Sequence, residues 1–219
     1  MNFPFTAEEF LEVFEKYNTS VWPAQIIFYA LALLTVVLTG MGGQLASKIV
    51  CFILGLLWLW MGVVYHIIFF TSINPMAFAF GGLFIAQGLI FTYSGLGGRI
   101  RFKNAWNWRN LLGISVTGYG LLIYPVLGSL LGHYYPKTPT LGVPCPTTIF
   151  TLGILFFTLD RLPRYVLIIP LLWSVVGFSA AMNLSIEEDF GLLVSGVLAF
   201  LFLFLSGNRP VLPVHSEST

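Results

Sequence analysis

The chain has 219 residues, of which 57% are hydrophobic and 9% charged, with a formal net charge of +1. Soluble domains carry about 25% charged residues, so a fold of this length could not hide its apolar surface in water. The near-zero charge and the lack of any basic cluster exclude a nucleic-acid footprint, and the uncharged runs are those of helices that cross about 30 Å of hydrocarbon.

Residues 1–21 read as a separate element outside the bilayer, an amphipathic helix lying at the membrane surface or capping the bundle. Thr6-Ala7-Glu8-Glu9 has the form of a capping box, with Phe5 and Phe10 at the two positions of a hydrophobic staple. Phe10, Phe14 and Tyr17 fall on one helical face, and Glu8, Glu12 and Glu15 on another. That polar face is acidic, which argues against attraction to anionic lipid. Acidic residues also stand where a signal peptide would have a basic region, so no cleaved leader is expected.

Seven uncharged segments follow, at about 22–41, 49–73, 75–98, 110–132, 146–159, 164–186 and 190–206. The expected fold is all-α, a polytopic bundle of seven spans occupying residues 22–206, with 207–219 as a disordered cytoplasmic tail. The fifth segment is short and opens with Pro144 and Pro146 around Cys145, so a half-span is the rival reading. Charge decides for seven. With the N-terminus outside, Lys48, Arg99, Arg101, Lys103, Arg109, Arg161, Arg164 and Arg209 are all inside, eight of the ten Lys and Arg. The positive-inside rule then sets the orientation, N-terminus out and C-terminus in. Close packing is expected at the Gly128/Gly132 pair and along Gly191, Ser195 and Ala199. Trp22, Trp106, Trp108, Tyr134 and Tyr135 fall where interfacial aromatic belts belong.

Three stretches, FPFTAEEFLEVFEKYNTSVWPAQ, WLWMGVVYHIIFFTSINP and GVPCPTTIFTLG, carry a resemblance. They resemble an uncharacterised bacterial family of multi-pass membrane proteins, a domain of unknown function. The resemblance implies a protein of the bacterial inner membrane and assigns no catalytic residues.

The residues that could carry chemistry sort by side. His66 is, with Cys51, the one group of residues 49–98 that could titrate near neutral pH. An ionisable side chain inside a span is by default a functional hypothesis. Asn74, His133, Cys145 and the Glu187-Glu188-Asp189 cluster fall on the same outer side. His66, His133 and Cys145 are of the types that bind zinc or copper, so a transition metal is one option, although no cofactor is called for by any short ligand spacing. Cys145 stands at a helix start, where a thiol can be reactive. Thr147 or Thr148 is expected to cap that helix. Gln87, near the middle of its span, is expected to make an interhelical hydrogen bond, with contact to substrate as the other option. No phosphate loop, HExxH or Ser-His-Asp set is present by spacing, and no lysine within a span could hold retinal. The leading expectation is a small-solute or ion transporter or binding protein whose outward polar site includes His66, Asn74, His133, Cys145, Thr147 and Gln87. A membrane enzyme using metal or thiol chemistry, and a structural or sensory subunit, are the alternatives.

Overall fold

A computed structural model describes residues 4–103, 107–184 and 186–205. The predicted tail from 207 on and the predicted interfacial Trp106 lie outside the described residues. The fold is all-α, with no β-strand among the described residues.

Helix α1 (Ala7–Ser20) starts as its sequence requires. The Thr6 hydroxyl accepts from the Glu9 amide at 3.2 Å, and the Glu9 carboxylate accepts from the Thr6 amide at 2.7 Å. Phe5 stacks on Phe10 at 5.7 Å, completing the staple. Val13, Phe14, Tyr17 and Asn18 are buried and Glu8 and Glu12 exposed, so α1 caps the bundle with its aromatic face inward. The Tyr17 hydroxyl donates to the Gly142 carbonyl at 2.9 Å and accepts from the Trp60 indole at 2.7 Å. Burial raises the Tyr17 pKa, the Trp60 donor only partly offsetting it, so the phenol is a donor at neutral pH.

Six helical stretches are long and apolar enough to cross a membrane. They are α2 (Ala24–Met41), α3 (Gln44–Trp60) with its continuation to Ser72, α4 (Ala77–Leu96), α5 (Trp108–Gly118) continuing through α6 (Tyr124–Leu130), α8 (Tyr165–Leu184), and Glu187–Leu205, which contains α9 (Phe190–Ala199). Their outward faces present apolar side chains that a soluble protein would cover, such as Leu33, Leu122 and Val175, each more than 60% exposed.

The fifth predicted span differs. It is α7 (Pro144–Leu155), 12 residues, about 18 Å at 1.5 Å per residue, which is short of the hydrocarbon thickness. All of its residues are buried. A helix ringed by others need not match the thickness of the lipid, and its apolar character all round fits a core position. Pro144 takes the first helical position, where a missing N–H costs nothing. The expected threonine cap is therefore absent, and the Thr147 hydroxyl instead accepts the Gly142 amide at 2.9 Å.

Helix α7 joins the two ends of the bundle. Its start lies at the α1 end, beside Tyr17 and Gly142 (φ +103°). The segment just after it meets the basic loop after α4, where Lys103 N–H donates to Phe157 and Leu159 N–H donates to Arg101. In the core, the Trp58 indole of α3 donates to Thr151 of α7 at 3.1 Å.

Helices α3 and α4 pack backbone against backbone, and glycine makes it possible. A Cβ at Gly55 would sit 3.0 Å from the Gly88 carbonyl and one at Gly88 2.8 Å from the Gly55 carbonyl. Gly62 and Gly81 face each other in the same way, at 2.8 and 2.9 Å. The predicted Gly128/Gly132 pair works otherwise. Gly132 (φ +95°) ends α6, and a side chain there would meet nothing, whereas Gly128 lies against the Glu188 carboxylate and Thr138. The Gly191, Ser195 and Ala199 stripe does pack closely, Gly191 against the Tyr119 ring.

Candidate functional site

The three-residue turn Glu187–Asp189 leads into α9 at the α1 end of the bundle. Glu187 is exposed, but Glu188 is 0% and Asp189 4% exposed. The first turn of a helix favours negative charge through the helix dipole, which eases their burial. Asp189 makes no capping bond to the backbone of α9. Its Oδ1 instead accepts the Tyr124 hydroxyl at 2.5 Å, and Cys145 lines the same cavity wall. The Tyr119 hydroxyl donates to the Glu188 carbonyl at 2.7 Å. His133 Nδ1 lies 2.8 Å from Glu188 Oε1, with the imidazole 16% exposed, so it links a buried acid to the surface. Glu188 Oε2 has no partner.

A cavity of about 90 Å³ lies between α1 and the bundle, directly against Asp189. Its walls are largely aromatic: Phe5, Phe10, Phe14, Tyr65, Phe70 and Phe80. The side chains on it that carry a polar group are few, namely Tyr65, Asn74, Cys145, Trp173, Ser179 and Asp189. The Trp173 indole N–H reaches no oxygen or nitrogen acceptor. It stands with the Cys145 thiol beside Gly177, where an added Cβ would lie 3.4 Å from Trp173 Nε1 and 3.6 Å from Cys145 Sγ. Exposed Ser179 marks the mouth, about a turn and a half from the end of α8.

His66 sits one layer behind this wall. It lies in a π-helical stretch, Met61–Phe69, a distortion often found at functional sites. The imidazole is fully buried among rings, 4.6 Å from Phe84 and 5.2 Å from Trp173 between centroids, and neither nitrogen has a partner. It does not line the cavity but touches Phe70, Phe80 and Trp173, which do.

The residues proposed from sequence thus divide. Asn74 and Cys145 reach the cavity, and Asn74 also accepts the Met76 amide at 3.0 Å to close its own turn. His133 reaches the acid next to it. Thr147 holds the loop before α7. Gln87 donates to the Val166 carbonyl at 3.0 Å, four residues before Pro170, whose missing N–H leaves that carbonyl without its helical donor. No group of three His, Cys, Asp or Glu among the described residues is arranged to hold a metal ion, so His66, His133 and Cys145 do not form one ligand set.

The sequence placed Glu188 and Asp189 in the outer acidic cluster without assigning them to the site, and it did not single out Tyr119 or Tyr124. Two acids in a three-residue turn between apolar runs, and two tyrosines within a span, were the available signals. Nothing in the spacing shows that they meet.

A family model described as a family of unknown function (DUF6064) matches residues 7–211, and the chain belongs to that family. No curated protein and no solved structure matches it.

Proposed function

We propose that this chain is a multi-pass protein of the bacterial inner membrane that binds a small solute or ion beneath α1 and carries it across the bilayer. The observation that supports this reading is the aromatic cavity with a buried carboxylate in its wall. Ligand sites are mostly apolar concavities with a few convergent polar groups, and both Tyr65 and Tyr119 stand in π-helical stretches. Seven crossings, with α7 as the short buried one, agree with its joining of the α1 end to the basic end. The basic loops then lie inside and α1 outside.

Thermal unfolding of the detergent-purified full chain, against a panel of small solutes, tests the binding. At least one solute is expected to raise Tm, and Ala180→Phe, which fills the mouth, is expected to abolish both that shift and uptake of the same solute into proteoliposomes. A panel without a stabilising solute, or a shift untouched by Ala180→Phe, overturns the reading. Thiol labelling tests the topology, since the two native cysteines, Cys51 and Cys145, are both buried. A cysteine at 161–164 reacting from the same side as one at Glu8 would overturn seven crossings.

A further inference from the structure

We infer that the cavity takes a small organic ammonium ion that also carries an acceptor oxygen, of the size of a two-carbon amino alcohol. This rests on the reading of the cavity as a binding site and adds the chemistry of its occupant.

Charge is the first consideration. Two carboxylates are buried side by side, Glu188 and Asp189, and the one basic group on them is His133, which engages Glu188. Asp189 is left with a neutral donor, the Tyr124 hydroxyl, and shares the cavity wall with the Cys145 thiol. No Lys, Arg or His is among the described residues lining the cavity. A carboxyl buried without a counter-charge either ionises at a cost or keeps its proton, and a cation brought by the ligand stabilises the ionised form. The aromatic walls act in the same direction, because ring faces attract cations electrostatically. They repel anions for the same reason, so an anionic solute is disfavoured.

The second consideration is an unused donor. The Trp173 side chain is 9% exposed and lines the cavity, yet its N–H has only the Cys145 sulfur nearby, a weak acceptor. Asp189, Cys145 and Trp173 line one cavity, with Cys145 Sγ and Trp173 Nε1 both beside Gly177, so the acid and the indole bound one small space. An occupant with an ammonium at one end and an oxygen at the other satisfies both.

Size completes the assignment. A cavity of roughly 150 Å³ holds benzene, with its six heavy atoms. About 90 Å³ therefore holds about four.

Three probes of equal heavy-atom count separate these contributions: ethanolamine, propylamine and 1-propanol, titrated calorimetrically into the purified full chain at pH 7.5. Ethanolamine is expected to bind most tightly. Propanol, without the charge, should bind about 100-fold more weakly, and Asp189→Asn should erase that difference. Propylamine, without the oxygen, should bind about fivefold more weakly, and Trp173→Phe should erase that smaller difference while keeping the larger one. Asp189→Asn still accepts from Tyr124, and its melting curve checks that it folds. Propanol binding as tightly as ethanolamine, or unchanged ethanolamine binding in Asp189→Asn, overturns the inference. A neutral or anionic solute that stabilises the chain while all three probes fail also overturns it, but leaves the binding site standing. Failure of every solute removes both.

Discussion

At the basic end of the bundle, Arg101 meets Asp160 at 2.7 Å with both side chains about half exposed, 53% and 48%. At the α1 end, Glu188 and Asp189 are fully or almost fully buried, and their partners are an imidazole and a phenol. Water still solvates the first pair, so it costs little to form and contributes little. The buried acids lose hydration worth several kcal/mol per ion and recover it only through well-placed partners. A chain in which charged residues are 9% of the total buries two of them at one point, where a hydrophobic contact would be more stable. On the proposed reading, charge at the basic end fixes topology and charge at the α1 end is held for recognition.

The sharpest way to break this contrast is at His133. Glu188 Oε1 has its hydrogen bond from the imidazole, and Oε2 has none. His133→Ala would leave a buried acid without a partner, a loss of about 3 kcal/mol, read as a large fall in Tm in detergent. Adding Glu188→Met should recover much of that loss, since an apolar residue of similar size has no charge to compensate. If the double variant is no more stable than His133→Ala alone, Glu188 is not held at a cost and the contrast between the ends fails.

A smaller effect is expected at Tyr124. Tyr124→Phe removes the hydroxyl that donates to Asp189. The expected loss is about 1.5 kcal/mol, the scale of one hydrogen bond to an ionised group. Chemical denaturation of Tyr124→Phe beside Tyr119→Phe gives the control, because Tyr119 donates to a backbone carbonyl and not to a carboxylate. Equal losses at the two positions would mean that Asp189 gains nothing special from its phenol.

What the sequence disclosed follows the range of the interactions. The Thr6–Glu9 capping box and the Phe5/Phe10 staple depend on residues three to five apart, and both formed as read. Helix apolarity gave the membrane class for the same reason, since it is a property of each segment alone. The length of α7 was harder to read. Its segment is apolar enough for a span, and only its enclosure by other helices explains how 12 residues suffice for its place. The pairing of Gly55 with Gly88 and of Gly62 with Gly81 was within reach, since both pairs keep a constant register across the α3–α4 hairpin. Gln87 was expected to bond between helices, but its target, the carbonyl freed by Pro170, needed the packing of α4 on α8. The site suffered most. Tyr124 and Asp189 are 65 residues apart, and only the fold turns the acid inward onto the phenol.

The basic end should yield least. Arg101→Ala removes the pair to Asp160, and an exposed pair of this kind is worth about 0.5 kcal/mol. Screening by salt reduces even that, so wild type and variant should converge in Tm as ionic strength rises beyond about 0.5 M. The backbone bonds of the same loop, Leu159 N–H to Arg101 O at 2.7 Å and Lys103 N–H to Phe157 O at 2.9 Å, do not depend on the side chain and should keep the loop in place. A Tm loss at Arg101 matching that of His133→Ala would show that the exposed pair holds the loop against α7 and that both ends use charge structurally. The expected outcome is a near-silent variant at one end against a severe one at the other. It would tie the buried acids to a task other than holding the helices together, because stability alone would favour their replacement.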